Sequence, residues 1–352
     1  MNKMINDQVR KLKKRLEKLK SERSAVEEDW LEVEKYCYPA AQQYGQPRSE
    51  FINQQDRFDL NDSIGVLSAN LLSRSMHASI TPPNYPWIDF ILTVNGKNII
   101  DSKIPLGDSK RKYLSEITSV VREEYEISNY NKEASKFFKN VVVYGVGTLF
   151  QESIFDRRRN LPSLSFTSIS PWEIFPIEND QGSHDSAFRI FKMTAQQINQ
   201  KWPEASKNPE AKNLINALEK EPDRLFEIIH FVEPEKEYGY NYCSKYILCD
   251  DDYFLKNDGK GFNSFPYHFL FWERVRNKVY ANSPALEALP DVKELCAMRA
   301  LQKESYEKCI NGVWATEQGN FINGEMDLSS RAVNEVRDIN GIRSLSDNAR
   351  YD

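Results

Sequence analysis

Ile5, Val9, Leu12, Leu16, Leu19, Val26, Trp30 and Val33 recur at four- and three-residue steps in a Lys/Glu-rich background. That spacing puts them on one face of a helix. Arg23 interrupts the seam, and Ser24 and Glu27 stand at capping-box spacing. The pattern predicts one helix ending near Ser21 and another starting at Ala25, stopped by Tyr38-Pro39. The run is short for a coiled coil, so the simpler expectation is a helix laid along its own domain. Residues 40–56 are polar, with Gln, Gly, Pro and Arg, and read as a loop.

Asp62 to Ser79 predicts a helix rich in Ser and Ala, with Ile64, Leu67, Leu71 and Leu72 as its apolar side. Thr81-Pro82-Pro83 stops it, and Trp87–Leu92 alternates like a strand. Two more helices are expected, over Ser109–Ile127 and Asn131–Val143. From Tyr144 the period shortens to that of strands: Thr148–Ile154, Leu164–Ile169, Trp172–Ile177 and Ala187–Met193. Short helices follow after Thr194, a plausible cap, and over Leu214–Lys220. Strands resume at Leu225–Val232, Tyr246–Cys249 and Tyr267–Trp272. Helices first and a strand-rich block second, with no βαβ repeat, make the fold class α+β.

The last long helix opens at Ser283-Pro284, because a proline at the first helical position loses an N–H that would be unpaired there anyway. Pro290, one turn in, is expected to bend or restart it. A helix over Pro284–Ile310 would be about 40 Å long. Its apolar set (Leu289, Val292, Leu295, Cys296 and Leu301) thins toward the C-terminus, which suggests a rod leaving the globular body. Lys303/Glu307 and Glu304/Lys308 have the spacing of ion pairs along one helix.

Composition narrows the function. The chain has 352 residues, 40% of them hydrophobic, enough for a sizeable core and two domains, or one large domain with an extension. Its net charge is −5, which argues against tight DNA binding, since counterion release needs clustered Lys/Arg. The five cysteines (Cys37, Cys243, Cys249, Cys296 and Cys309) lack zinc spacing and are expected as reduced thiols of a cytosolic protein. No apolar run approaches the roughly 18 residues of a membrane span.

Catalytic patterns are missing. Gly145-Val146-Gly147 lacks the third glycine of a dinucleotide loop and precedes a strand, so it reads as a tight bend. His77, His184, His230 and His268 are not at metal-ligand spacing. Asp250-Asp251-Asp252 reads as a solvated turn, and Arg157-Arg158-Arg159 as a charged hairpin tip, solvated or paired with a neighbouring subunit's carboxylates. No catalytic, cofactor or metal site is expected. A hydrolytic enzyme with an unseen site is the alternative that an activity screen with and without divalent metal would expose.

Several stretches, in order, resemble the portal, or head-to-tail connector, of short-tailed bacteriophages. Glu22-Arg23-Ser24 through Trp30, with Tyr36 and Pro39, resembles that family's opening helix. Asn61-Asp62-Ser63, Thr81-Pro82-Pro83 and Trp87 resemble its second helix and the turn after it. Tyr144–Phe150 resembles its next strand entry and Phe188-Arg189 to Thr194–Gln197 its later strand-to-helix turn; His230–Pro234 and Phe265–Trp272 fit as well, and Ser283–Lys293 resembles the start of its stem helix. The family usually carries Gly-Arg-Gly-Pro before the stem, where this chain has Ala281-Asn282-Ser283-Pro284.

The resemblance implies a wing or body over 1–282 (helices 1–143, strand-rich 144–282), a stem helix over 283–311 and a partial clip over 312–352. Clip strands would fall at Gly312–Thr316, Met326–Leu328 and Val333–Val336, and the family's second stem helix, tunnel loop and crown would be absent. It implies a ring, usually of twelve copies, at the portal vertex of the virion, assembled in the host cytoplasm. Double-stranded DNA would pass through it transiently. Capsid and scaffold proteins would meet the wing, and the terminase and tail or adaptor proteins the clip, with no membrane and no cofactor. Lys293, Arg299, Lys303 and Lys308 are the stem cations expected nearest DNA. Another virion adaptor or head-tail joining protein is the alternative.

Overall fold

The computed structural model describes residues 2–41, 60–83, 85–90, 108–156, 159–209, 211–235, 239–256, 261–274, 279–311, 314–316, 336–338 and 342–344. The N-terminal region is one helix, α1 (Asn2–Cys37), and not two. The expected break fails because its capping groups are spent elsewhere. Ser24 Oγ donates back to Ser21 O (2.9 Å), and the Glu27 carboxylate accepts from Arg23 Nε (2.6 Å).

Two antiparallel sheets form the strand-rich block. The smaller orders β2 (Leu161–Ile169), β1 (Val146–Asp156) and β9 (Tyr267–Phe271). The larger orders β3 (Ile174–Glu178), β4 (His184–Thr194), β5 (Leu225–Pro234), β6 (Tyr242–Leu248) and β7 (Tyr253–Lys256), with β8 (Gly261–Phe262) also on β6. β7 and β8 were not expected, being short and set between turns. The segment Trp172–Ile177 begins as a 3₁₀ turn, Pro171–Glu173, before β3.

The larger sheet is covered on both faces, which is why β5 reads as a nearly continuous apolar run. Ile229, Phe231 and Ile247 meet Val9 and Leu16 of α1. Phe226, Ile228 and Leu248 on the opposite face meet α5 (Ala195–Lys201) and α6 (Lys212–Lys220) through Ile198 and Leu214. The α5 capping box is complete, with Thr194 and Gln197 exchanging side-chain and backbone bonds. The two sheets join where Phe150, Ile169 and Tyr267 pack on Ile174, Ala187 and Val232.

The second half of α1 enters a helical layer with α2 (Ile64–Ile80), α4 (Tyr130–Tyr144) and the first turns of α7 (Pro284–Asn311). α2 sits the other way round from its sequence pattern. Gly65, Ala69 and Ser73 are buried, whereas Leu67 and Leu71 are 63% and 69% exposed. Small residues win the inner face because the backbones approach closely there. A Cβ on Gly65 would stand 2.9 Å from both Tyr36 O and Val292 Cγ1.

Residues 85–90 are not a strand but a strap on α3 (Asp108–Ile127), tied by Phe90 N donating to Thr118 Oγ1 (3.3 Å) and Arg122 Nε to Ile88 O (2.8 Å). Ile91 and Leu92 of the expected strand lie outside the described residues, as does most of the expected loop over 40–56. β10 (Trp314–Thr316) pairs with β11 (Ile342–Ser344), which the sequence pattern did not flag. Met326–Leu328 and Val333–Glu335 lie outside the described residues.

Candidate functional site

The most unusual element is α7, and its root is fixed by local chemistry. Ser283 caps it: Ser283 Oγ accepts from Leu286 N (3.0 Å), and Pro284 follows at the first helical position. Asn282 Nδ2 donates to Glu287 Oε1 (2.9 Å) and Asn282 Oδ1 accepts from Ser283 N (3.1 Å). The helix runs uninterrupted through Pro290. Behind the root, Gly145 ends α4 with φ +76°, and a Cβ there would lie 2.5 Å from Asn282 O. Only glycine permits this conformation at such close backbone approach.

A buried polar joint ties the root to the sheets. Tyr144 Oη and Trp172 Nε1 both donate to Glu34 Oε1 at 2.6 Å, and Trp30 stands edge-on to Tyr144, Trp172 and Tyr280. Burial pushes the Glu34 carboxyl up, against the opposing pull of the two donors. One helical turn or more away, Arg23 is 4% exposed and donates to Pro171 O, Trp172 O and Ile174 O, with its guanidinium 3.8 Å from the Phe175 ring centroid. The residue that broke the apolar seam is the clamp between α1 and the edge of β3.

Along α7, Ala285, Leu289, Val292 and Cys296 are buried at steps of four, three and four. The same steps continue to Arg299 and Lys303. Arg299 Nε reaches Asp62 Oδ2 (3.3 Å), and Lys303 Nζ donates to Asn61 Oδ1 (2.9 Å). Lys303 therefore turns toward the residues preceding α2 and not along its helix to Glu307. Lys293 lies 2.5 Å from Glu32 Oε2 on α1. Three of the four predicted stem cations are thus on the side of α7 that faces its own body. The signal was the unbroken step pattern past Cys296. The Lys308 side chain, and with it the Glu304/Lys308 pair, lies outside the described residues.

Beyond Cys296 the other faces of α7 carry Met298 (53% exposed), Leu301 (64%) and Tyr306 (49%). These exposed apolar side chains stand among Gln302, Glu304 and Glu307 on a helix whose body-facing side is already occupied.

The remaining candidates resolve into structural roles. In the acidic triplet, Asp250 pairs with Arg224 (3.6 Å) and Asp252 with Lys13. Asp251 accepts from Asn213 N (3.0 Å) and Leu214 N (3.3 Å), capping α6 from a distant loop. Arg159 grips Glu124 of α3 (2.6 Å), a carboxylate of its own chain; Arg157 and Arg158 lie outside the described residues.

His230 is buried, bonded to Tyr267 Oη (2.6 Å) and Ser244 Oγ (3.0 Å), and burial pulls its pKa far down. Glu233, Glu235 and Cys243 converge closely enough to hold a cation. Lys245 already fills that role, 3.2 Å from Glu235 and 3.8 Å from Glu233. Cys37, Cys243, Cys249 and Cys296 are free thiols. No helix among the described residues is long and apolar enough to cross a membrane.

The chain is 25% identical over 328 residues to a portal protein of Salmonella phage epsilon15, a match that covers 88% of this chain and 54% of the relative. It is 23% identical over 294 residues to a probable portal protein of Bordetella phage BPP-1, covering 79% of this chain and 49% of that protein. The chain spans about half the length of these curated relatives. The family model described as bacteriophage head to tail connecting protein matches residues 9–349, nearly the whole chain, and the chain belongs to that family.

Proposed function

We propose that the chain is one subunit of a ring at the head-tail junction of a phage particle, and that the genome enters and leaves through the channel of that ring. The observation that carries this is α7: held to the body by Leu289, Val292 and Cys296 and, further on, by Arg299 and Lys303, while Met298 and Leu301 on its other faces are 53% and 64% exposed. Copies of the same helix side by side would cover them. In this reading residues 1–282 are the wing, α7 the stem and 312–352 the beginning of the clip. Twelve copies are expected. Capsid and scaffold proteins meet the wing, while the terminase and tail proteins dock on the clip.

The work is geometric and electrostatic. A wall that gripped phosphate would impose a salt-dependent drag on moving DNA. Lys293, Arg299, Lys303 and Lys308 remain the stem cations assigned nearest DNA. Glu32 and Asp62 already answer the charges of Lys293 and Arg299, which suits a weakly binding wall. Negative-stain images of the purified full-length protein should show annuli with a central hole. Only compact particles without a hole, at every concentration, would overturn the ring. Charge reversal of the four cations should change DNA filling in a packaging assay, and unchanged filling would remove them from the channel.

A further inference from the structure

Charge is not spread evenly along α1. Residues 10–20 carry seven Lys/Arg and one Glu, in a chain whose net charge is −5. Two of these cations are tied to the body: Lys13 to Cys249 O (2.9 Å) and Asp252, and Arg15 to Glu233 (3.4 Å). Val9 and Leu16 are buried against the larger sheet. Together these contacts fix which way the helix is turned.

Opposite the buried face, Arg10, Lys11, Lys14 and Lys18 are exposed and share one side of the helix. From Arg10 to Lys18 this stripe is about 12 Å long. Among the described residues no carboxylate pairs with Arg10, Lys11 or Lys14. Lys18 meets Glu22 at 3.6 Å, but both side chains are largely exposed, and such a pair is weak. Asp7 and Glu17 are the acidic residues at the margins of the stripe.

The surroundings of the stripe narrow its partner. No large apolar side chain is exposed among residues 7–30 of α1. The core of a protein–protein interface, by contrast, is depleted of Lys and built on apolar anchors. The acidic second half of α1 in a neighbouring copy is a poor match as well. Its Glu22, Glu27, Glu32 and Glu34 are taken by Lys18, Arg23, Lys293 and the Tyr144/Trp172 donors. A lipid surface is disfavoured, because the apolar side that would enter it is already packed on the sheet. Phosphates along a duplex ask for cations and nothing else.

We propose that Arg10, Lys11, Lys14 and Lys18 bind the phosphate backbone of double-stranded DNA without regard to sequence. A duplex stretch as long as the stripe carries about three to four phosphates on each strand. The site deepens the ring reading above and rests on it for the presence of DNA. It is set apart from the stem: α1 meets α7 through Glu32 and Lys293, about 21 Å along the helix beyond Lys18. A grip on phosphate at the stripe therefore puts no drag on DNA moving past α7. It holds duplex that lies against the wing.

Fluorescence anisotropy with a short random-sequence DNA duplex and the purified full-length chain tests this. Raising the salt from about 50 to 200 mM should weaken binding about 40- to 150-fold, as three to four phosphate contacts require. Replacing Arg10, Lys11, Lys14 and Lys18 together with Gln preserves helix propensity. That variant should keep the parent's thermal midpoint and bind about tenfold more weakly, or worse, at the lower salt. Lysine acetylation of the unaltered chain gives a second measurement that needs no variant. The duplex should protect Lys11, Lys14 and Lys18 and leave the exposed Lys220 as reactive as before.

Equal affinity of the Gln variant and the parent, or acetylation of the three lysines that ignores the duplex, would overturn the site. Loss of binding on replacing Lys293, Arg299, Lys303 and Lys308 with Gln instead would move the contact to the stem and overturn it too. Binding insensitive to salt would overturn the phosphate contact. Tighter binding to poly-glutamate than to the duplex would overturn the assignment to DNA in favour of an acidic protein. All of these results leave the annuli untouched. A chain that binds the duplex through the stripe but forms no annuli would overturn the ring reading and keep the site.

Discussion

Replacing Arg23 with methionine tests whether that residue is the clamp between α1 and the sheets. Methionine keeps most of the aliphatic stem and removes the guanidinium. Three carbonyls, those of Pro171, Trp172 and Ile174, then lose their donor, and two of those bonds are fully buried. An unsatisfied buried group costs about 1–3 kcal/mol. The stacking on Phe175 is lost as well, worth about 2 kcal/mol where desolvated. The guanidinium's own desolvation cost disappears with it, so these contributions do not simply add, and about 3–5 kcal/mol is expected.

Two controls separate charge from shape. Arg23→Lys keeps the charge but cannot reach three carbonyls with a planar fork, and should lose about half as much. Glu27→Gln removes the ion pair alone; its side chain is 30% exposed, so the loss should stay under about 1 kcal/mol. Urea unfolding followed by tryptophan fluorescence measures all three, because Trp30 and Trp172 flank the site. A loss below about 1 kcal/mol for Arg23→Met, or equal stability of the Lys variant and the parent, would refute the clamp.

Gly145→Ala should cost about 1–3 kcal/mol for the left-handed backbone, with a further loss from the clash at 2.5 Å with Asn282 O. Gly182→Ala is the control: φ is +75° there too, but nothing lies within 4 Å, so equal losses would show that the α7 root contact is worth nothing. Acidification should destabilise the fold below about pH 6.5. The folded-state pKa of His230 lies far below its unfolded value, and burial lowers His77, His184 and His268 in the same direction. The unfolded chain therefore binds protons that the folded chain does not, each contributing up to about 1.4 kcal/mol per pH unit. His230→Asn should flatten this slope between pH 6.5 and 5; stability that is level over that window in the parent would refute the assignment.

Much of the fold was legible along the chain because local signals agreed with the tertiary outcome. Ser283-Pro284 at the start of α7 and Thr194 with Gln197 at α5 act within one helical turn, so neighbours in sequence suffice to satisfy the backbone. The expected break at Ser24 failed for the opposite reason. Its Glu27 was claimed by Arg23, whose position answers to carbonyls some 150 residues away. The partners of the α7 cations were hidden for the same reason. Asn61, Asp62 and Glu32, which hold Lys303, Arg299 and Lys293, lie more than 200 residues earlier in the chain.

Periodicity, caps and order of elements determined by themselves that this is an α+β chain with a long helix emerging late, and the ordered resemblances determined its family. Tertiary structure alone decided which face each element buries. α2 turns Leu67 and Leu71 outward because Gly65, Ala69 and Ser73 permit a closer backbone approach than leucine would. Arg23 becomes interior because the edge of β3 offers it three carbonyls. Close packing and buried hydrogen bonds are satisfied between segments distant in sequence, and no window along the chain contains both partners.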